Sequence, residues 1–441
     1  MLLSGQRLFP LICIGMKNVD LKGLQNLVDL SKGYFLTTII NQALPFLLLP
    51  ILTRYLSTGE YGMLSLFTFY MSISTAVIGA SIPLVISKNF YEKEKEEVAR
   101  LVGNCVYTAL FLAIVVELLL VVFYPLIKSY VSAPLIFLLL IPVGSFSQVV
   151  FSCGLTVCRC MRKVFHFSCH QIGNTTMNVT LSLIAVCIFL WGWIGRFSSI
   201  CVAFVLSALI MMAYLKKLGY LHFAFSLKQQ KEIREVIIPL IPNSVQLNMI
   251  SQAGLFFMGL YFGDDILGKY AMGFQISLCV KLLSDTINMS WSPFFFQQLS
   301  KGEKMNKTYI TRSLLVLIAV LVLGTLAINL LAYPVLWIMT TPDYYSASEF
   351  IPWFTLGWLL YGIYGFVRPI LIKYNQQRFI GMNSLLTMIV MIVANIVAAH
   401  YLGYKGISYA FCTVYLLLTV PLILRAQKVH PLPWLKAMKI W

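Results

Sequence analysis

A lysine and an aspartate stand four residues apart inside a segment that should form a lipid-buried helix. They are Lys281 and Asp285, in the stretch ISLCVKLLSDTINMSWSPFFFQ at residues 276–297. Residues four positions apart share one face of a helix, so the two side chains can form an ion pair. A charged residue at the centre of a membrane helix costs about 2.5 to 3.5 kcal/mol on insertion scales. The pair therefore predicts either an ion pair that fixes helix packing or a functional site beside a cavity.

Polar residues continue along the same face of this segment. Ser277, Lys281, Ser284, Asp285 and Asn288 follow one another at helical spacing and predict one wet stripe. Other apolar segments carry similar rows of amides, which either line a cavity or form hydrogen bonds between helices. The candidate binding residues in all these rows are Asn174, Asn178, Asn243, Gln246, Gln252 and Asn288.

Three more charged residues lie in or beside apolar segments. Glu117 stands alone in AIVVELLLVV and either carries a proton or meets a polar neighbour, while Arg368 lies near the end of a segment and Arg54 at a rim. Cysteine and histidine residues gather at 158–170, but their spacing fits no standard zinc site. No phosphate loop, metalloprotease motif or serine nucleophile elbow occurs. We therefore expect no metal, no cofactor and no catalytic residues.

These residues must be positioned by helices that cross a membrane. The chain has 441 residues, of which 59% are hydrophobic and only 11% are charged. Apolar runs of about 20 residues, long enough to cross a bilayer, recur along it. We predict an all-α membrane protein with twelve transmembrane helices, at 34–56, 63–87, 103–127, 134–157, 171–192, 197–215, 236–262, 266–293, 314–337, 350–372, 379–400 and 404–425.

A polar connection divides the predicted helices into two six-helix bundles that face a central cavity. The predicted parts are a lead-in at 1–33, a first bundle at 34–215, a linker at 216–235, a second bundle at 236–425 and a tail at 426–441. Tyr55 precedes Gly62 by the same interval as Tyr261 precedes Gly268, and the two glycines are 206 positions apart. This offset indicates a repeat of one six-helix unit, which is typical of transporters.

Basic residues indicate the side of the membrane on which each connection lies. The net charge is +17, and most Lys and Arg residues lie at alternate ends of the predicted helices, beside the headgroups of membrane lipids. The opposite side holds only Arg54, Lys128, Arg196, Lys269 and Lys405. The positive-inside rule then places both termini in the cytoplasm. This distribution predicts no nucleic-acid partner.

Three stretches resemble a known family. They are NQALPFLLLPILTRYLSTGEYGMLSLF from Asn41, IPLIPNSVQLNMISQAGLFFMGLYFGDDILGKYAMGFQ from Ile238 and WSPFFFQQL from Trp291. They are similar to the bacterial O-antigen and polysaccharide translocases of the multidrug, oligosaccharidyl-lipid and polysaccharide exporter superfamily. The resemblance extends over the chain from about Met16. Many members carry an Asp-Arg pair in the seventh span, where this chain reads SQAG with Gln252, so any role of that pair is in doubt here.

The resemblance implies a flippase of the bacterial inner membrane that serves lipopolysaccharide biosynthesis. Such a flippase moves an undecaprenyl-diphosphate-linked oligosaccharide, the repeat unit of O-antigen or a similar surface polysaccharide, from the cytoplasmic to the periplasmic leaflet by alternating access. The negative diphosphate needs cationic partners, for which Lys281, Arg54 and Arg368 are the candidates. Asp285 would either orient Lys281 or act as a proton-linked switch. Glu117 is the second candidate for coupling, and the coupling ion, proton or sodium, is left open.

Two other functions compete with this one. A multidrug or cation antiporter of the same superfamily would offer net acidic residues in its cavity, whereas the predicted helices bury two acids and two bases. A multi-spanning polysaccharide polymerase would carry a sizeable loop with catalytic residues, and no such loop is predicted. We therefore expect a transporter rather than an enzyme. A polysaccharide polymerase and a chain-length regulator are its expected protein partners.

Overall fold

The protein is helical throughout the part of the chain that its structure describes. The computed structural model describes residues 37, 40–41, 43–44, 46–79, 81–127, 135–299, 307–374 and 376–434. It gives only the backbone for residues 126–127, 239–240, 242–243, 247, 289–290, 292–293, 296–299 and 377. The predicted lead-in at 1–33 and the end of the predicted tail at 435–441 lie outside the described residues, as does the side chain of Asn243.

The first half of the chain forms helices α1 to α7, and the second half forms α8 to α12. Their bounds are α1 Phe46–Tyr55, α2 Thr58–Ile78, α3 Ile82–Asn89, α4 Lys95–Ile127, α5 Leu135–Cys160, α6 Val164–Leu183, α7 Gly192–Lys217, α8 Leu227–Phe262, α9 Asp264–Leu299, α10 Lys307–Met339, α11 Ile351–Lys373 and α12 Gln377–Val429. A π-helical turn extends α6, and a 3-10 helix precedes α11. Within the described residues, nine helices are long and apolar enough to cross a membrane. The prediction of an all-α membrane protein is confirmed.

The second predicted span, at 63–87, is two helices in the structure. The first of them, α2, begins at Thr58, because Ser57 and Glu60 form a reciprocal capping box at its first turn. It ends before Gly79, whose φ of 155° does not continue a helix. The chain then restarts as α3, which has a proline in its first turn. Hydropathy alone cannot show this break, because both pieces are apolar.

The last two predicted spans are the two arms of α12, which meet at a non-helical kink at Gly403. The side chain of Asn383 donates to the carbonyl oxygen of Leu418 at 2.8 Å, across 35 positions of sequence. Such a contact requires the chain to reverse direction at the kink. Gly403 has φ 64° and ψ −160°, a conformation that is essentially restricted to glycine.

Replacement of Gly403 by alanine is therefore expected to destabilise the α12 reversal. A Cβ at this position would meet no atom within 4 Å, so the effect would come from backbone strain alone. We expect the free energy of unfolding to fall by about 1 to 3 kcal/mol. The measurement is denaturation of the purified protein in detergent. Gly381→Ala is the control, since its site is equally open but helical, and an unchanged stability of Gly403→Ala would contradict the explanation.

The connection between the halves is bound to the first half. The predicted linker covers 216–235, but α8 already begins at Leu227. Gly103 of α4 lies against the carbonyl of His222, and the amide nitrogen of Asn104 donates to the carbonyl of Ala224 at 2.8 Å. Lys93 and Glu232 form an ion pair of 2.6 Å. The side chain of Gln230 in α8 also donates to the carbonyl of Asn104 at 2.9 Å, so the first turn of α8 is tied to α4 although α8 belongs to the second half.

The halves also meet where α2 crosses α9. A Cβ built on Gly62 would collide with the carbonyl oxygen of Asp264, and a Cβ on Gly268 would collide with that of Thr58. Thr58 and Asp264 are separated by the same 206 positions as the two glycines. The contact is therefore reciprocal, as a repeat related by a two-fold axis requires. We call this end of the bundle the Gly263 end, and the opposite end, with the α7–α8 connection, the Gly219 end.

Candidate functional site

Lys281 and Asp285 form the predicted ion pair on α9. The ammonium nitrogen of Lys281 lies 2.8 Å from Oδ2 of Asp285, and the two side chains are 35% and 31% exposed. The hydroxyl of Tyr361 on α11 donates to Oδ1 of Asp285 at 3.0 Å. Asp285 thus has a partner on each oxygen, which holds its carboxylate in a fixed position.

Aromatic rings surround the ammonium group of Lys281. Its nitrogen lies 5.8 Å from the ring centre of Trp358 and 5.6 Å from that of Tyr361, within the range of cation–π attraction. Trp358 is 1% exposed and donates its indole N–H to Ser277 at 3.0 Å. Its ring also packs against Phe411 at 5.3 Å. Because Trp358 is fixed from behind, the cation has a rigid aromatic wall.

A polar cavity of about 200 Å³ lies between the two halves and includes Lys281 in its wall. Among the lining residues the structure describes, Lys281 is the only charged one. Its wall comes from α2, α8, α9 and α11: Tyr61, Ser65, Thr68, Ser251, Gln252, Leu255, Ala271, Phe274, Gln275, Leu278, Lys281 and Trp358. We call it the central cavity.

The two halves close over the central cavity at the Gly263 end. Thr58 donates its hydroxyl to Asp265 at 2.7 Å, next to the crossing of Gly62 and Gly268. The hydroxyl of Tyr344 donates to the carbonyl oxygen of Ser57 at 3.0 Å. Tyr344 is buried, and this burial raises the pKa of its phenol, so the hydroxyl keeps the proton that it donates.

A second cavity, of about 480 Å³, lies within the first half. We call it the first-half cavity. Its polar wall is made by residues of the chain before α1, of α5 and of α6, namely Asn41, Arg159, Gln171, Asn174, Thr175 and Asn178. It extends along α6 from Phe167 to Val179, which is about 18 Å at a rise of 1.5 Å per residue. Asn174 and Asn178, two of the candidate binding residues, lie in this wall.

Arg196 lies behind the first-half cavity rather than in a connection. The sequence assignment to a connection is wrong because α7 begins at Gly192, which places Arg196 inside the helix. The guanidinium donates to the side-chain oxygens of Asn178 and Ser182 on α6, and the residue is 9% exposed. Within the described residues, no carboxylate oxygen lies within 4 Å of it, so it is a buried cation with neutral partners.

Part of the polar stripe predicted on α9 lines the central cavity, and other side chains of the stripe contact the neighbouring helix α11. Lys281 faces the central cavity, whereas Ser284 donates to the carbonyl of Trp358 at 3.3 Å. Asn288 donates to Ser284 at 2.9 Å and to Gly362 at 3.4 Å. These side chains join α9 to α11, so the stripe as a whole does not face water.

The other predicted binding and coupling residues are spread over the structure. Gln252 lines the central cavity, with Ser72 as its partner at 3.4 Å. Gln246 is 3% exposed, and its amide nitrogen has no partner in the described part of the chain. Arg54 and Arg368 are exposed, and Glu117 is half-buried on α4. None of these three lines either cavity as far as the described residues show.

Sequence reasoning missed much of the wall of the central cavity. Tyr61, Ser65 and Thr68 recur at helical spacing on α2, and that spacing is a signal that could have indicated them. Gln275 and Trp358 carry no comparable signal, because isolated polar and aromatic residues are common in apolar helices. Among the described residues, no three His, Cys, Asp or Glu side chains come together as metal ligands, and 158–170 is no exception.

Comparison with known proteins agrees with this architecture. The profile of the polysaccharide biosynthesis protein family matches residues 33–299. The Lsg locus putative protein 1 of Haemophilus influenzae is 24% identical over 392 residues, which are 86% of this chain and 92% of that protein. An uncharacterized membrane protein of Haemophilus influenzae is 25% identical over 305 residues, 67% of this chain and 71% of that protein.

Solved structures of transporters share the fold. The lipid II flippase MurJ in an inward closed conformation superposes with a TM-score of 0.70 at 14% identity, over 93% of this chain and 91% of MurJ. An inward-facing multidrug resistance MATE family transporter of the MOP superfamily superposes with a TM-score of 0.68 at 14% identity, over 88% of this chain and 95% of that transporter. This chain, with its two helical halves around a polar cavity, belongs to the polysaccharide biosynthesis protein family.

Proposed function

We propose that this protein is a flippase for a lipid-linked oligosaccharide. Its substrate would be an undecaprenyl-diphosphate-linked repeat unit of O-antigen or a similar surface polysaccharide, moved from the cytoplasmic to the periplasmic leaflet of the bacterial inner membrane. The observation that carries the proposal is Lys281, a cation in the wall of a polar cavity between two repeated halves. Membership of the polysaccharide biosynthesis protein family supports the class of substrate.

The charges of the central cavity suit an anionic head group. A diphosphate crossing a layer of low dielectric constant needs a compensating cation, and Lys281 supplies one. Asp285 and the rings of Trp358 and Tyr361 stabilise the ammonium while the cavity is empty. On arrival of the diphosphate, Lys281 can exchange Asp285 for phosphate oxygens, since Asp285 keeps its hydrogen bond from Tyr361.

The neutral wall suits the sugars. Ser65, Thr68, Gln252 and Gln275 offer hydroxyl and amide groups that can bond sugar hydroxyls, while Tyr61 adds an aromatic face. The lipid tail would stay in the bilayer, outside the gap between the halves. Rocking of the halves about the Gly62–Gly268 crossing would expose the cavity to each side in turn.

The structure of a MATE family transporter with the same fold makes a multidrug antiporter the second candidate. A cation site needs an acid that is not already neutralised. Asp285 is paired with Lys281, and no acid is among the described lining residues of the central cavity. The contents of this cavity therefore favour an anionic substrate over a cationic drug. The fold and family are those of transporters, so a polymerase activity finds no support here.

The energy source and partners belong to the same proposal. Asp285 and Glu117 are the acids placed within membrane helices at which a proton or sodium gradient could act. A polysaccharide polymerase and a chain-length regulator would receive the flipped repeat unit. The predicted orientation, with both termini in the cytoplasm, gives the cavity access to substrate made on that side.

Transport by the purified full chain in proteoliposomes tests the proposal. The probe is an undecaprenyl-diphosphate-linked oligosaccharide with a fluorescent label, and an impermeant quencher reports the leaflet that holds it. We expect the protein to raise the rate of exchange between leaflets above that of protein-free vesicles. Efflux of a cationic dye without movement of the labelled lipid would instead establish the antiporter. Elongation of the labelled glycan would establish a polymerase.

A further inference from the structure

The first-half cavity has a wall of hydrogen-bond donors. Arg196 can only donate, so its bond to Oδ1 of Asn178 directs the NH2 group of Asn178 away from it. Asn174 is held in the same way, because its Oδ1 accepts from the hydroxyl of Ser207 at 2.9 Å. Neither NH2 group has a partner among the described residues, and neither is fully enclosed. Both are therefore available to a molecule in the cavity.

The asparagine acceptors of the same wall are already engaged. The hydroxyl of Thr175 donates to Oδ1 of Asn41 at 2.5 Å, and the NH2 group of Asn41 donates to the carbonyl of Thr37 at 2.8 Å. The carbonyl oxygens of the three asparagines thus all have partners. The side chain of Gln171 offers both an NH2 donor and a carbonyl acceptor, so the wall still leaves more donors than acceptors open. Such a wall favours a ligand that is rich in acceptors.

The positive charge around the first-half cavity lacks a counter-charge. Arg159 lies at the Gly219 end of the cavity, with a bond of 3.0 Å to Thr156 and its guanidinium over the ring of Phe167. Arg196 lies behind Asn178. Neither has a carboxylate oxygen within 4 Å in the described chain, and no Asp or Glu is among the described lining residues. Arg196 is buried with only neutral partners, whereas Arg159 is exposed, and both positive charges would attract an anion bound in the cavity.

We propose that the first-half cavity binds the carboxylate of an acidic sugar in the translocated oligosaccharide. The inference rests on the proposed function, in which Lys281 of the central cavity takes the diphosphate. A volume of about 480 Å³ falls within the usual range for small-ligand sites. Phe167 and Phe204 add aromatic faces against which a sugar ring can pack. Asn174 and Asn178 bind the carboxylate, Arg159 attracts it, and Arg196 is a positioning residue for Asn178.

A pair of sugars that differ only in charge tests the inference. Methyl β-D-glucuronide carries a carboxylate where methyl β-D-glucoside carries a hydroxymethyl group. Binding of both to the purified full chain is measured by saturation-transfer NMR, which detects weak ligands, with inorganic phosphate as a competitor. We expect the glucuronide to bind about tenfold more tightly or better, as hydrogen bonds to a charged group are stronger than neutral ones. Equal binding of the two sugars overturns the proposal.

Asn178→Asp locates the binding to this cavity. The aspartate has the shape of asparagine and still accepts from Arg196, so the fold is kept while the donor becomes a negative charge. We expect the preference for the glucuronide to fall about tenfold. Thr176→Ala, on the opposite face of α6, controls for mutation of this helix. An unchanged preference in Asn178→Asp places the site elsewhere and overturns the proposal. Phosphate that binds more tightly than the glucuronide overturns the assignment to an acidic sugar.

Failure of this inference and failure of the proposed function give different results. Sugar binding is measured without transport. A protein that moves the labelled lipid but binds the two sugars equally would support the flippase function and refute the acidic-sugar site. A protein that prefers the glucuronide but moves no lipid would support the acidic-sugar site and refute the flippase function.

Discussion

Lys281→Ala is expected to lower the rate of lipid-linked oligosaccharide translocation by about tenfold or more. The substitution removes the only charged group in the described wall of the central cavity. Hydrogen bonds that involve a charged group contribute about 1.5 to 3 kcal/mol, and 1.4 kcal/mol corresponds to a factor of ten. Lys281→Arg keeps the charge and should retain most of the rate. The measurement is exchange of the labelled lipid between leaflets of proteoliposomes that contain equal amounts of protein.

Two further variants separate binding from packing. Lys269→Ala removes a lysine from the same helix near the Gly263 end, outside the described lining of both cavities, and should leave the rate unchanged. The double variant Lys281→Ala with Asp285→Ala removes the ion pair as a whole. If it restores the rate that Lys281→Ala loses, the pair serves packing alone, and the anion-binding role of Lys281 is wrong. If the double variant is as slow as the single one, the ammonium itself is required.

Gly268→Ala is expected to prevent the halves from closing at the Gly263 end. The added Cβ would meet the backbone oxygen of Thr58, which cannot rotate away as a side chain would. The helices must separate, and the bond between Thr58 and Asp265 beside the crossing is lost with them. A shift of about 1.4 kcal/mol toward the open state changes its population about tenfold. We expect translocation to fall at least as much, because alternating access needs both states.

Accessibility of the cavity provides the direct measurement. A single cysteine at Ser65, in a variant without the native cysteines, should react faster with an impermeant maleimide from the Gly263 side when Gly268 is alanine. Gly62→Ala should act in the same way, since the contact is reciprocal. Gly381→Ala, where a Cβ meets no atom within 4 Å, should change neither labelling nor transport. Normal translocation by both Gly268→Ala and Gly62→Ala would show that transport does not need the close contact between the two helices.

Several features of the fold follow from sequence patterns that act locally. The apolar runs predict membrane helices because an unpaired backbone N–H or C=O group is costly in lipid, and a helix pairs these groups within its own segment. The spacing of Lys281 and Asp285 predicts their ion pair because residues four apart meet on one helix. The residues at which helices end were less predictable from the sequence. The split between α2 and α3 depends on one glycine conformation that hydropathy does not record.

The candidate site was predicted less completely, because a helix pattern shows which residues share a face but not what that face contacts. Asn288 and Lys281 belong to one stripe, yet Asn288 contacts Gly362 while Lys281 lines the cavity. The interpretation of Arg196 as a residue of a connection failed because hydropathy did not show that α7 begins at Gly192. Its partners, Asn178 and Ser182, are on another helix, so the segment that contains Arg196 does not reveal them.

The membrane class, most helical segments, the 206-residue repeat around Gly62 and Gly268 and the charge pair on α9 can be inferred from the amino-acid sequence alone. These features depend on composition and on contacts within one helix. The folded chain was needed to show that the two glycines touch, that Trp358 forms the wall beside Lys281 and that Asn178 lies between Arg196 and a second cavity. Each of these depends on how helices cross, and crossing is set by side chains packing between distant segments.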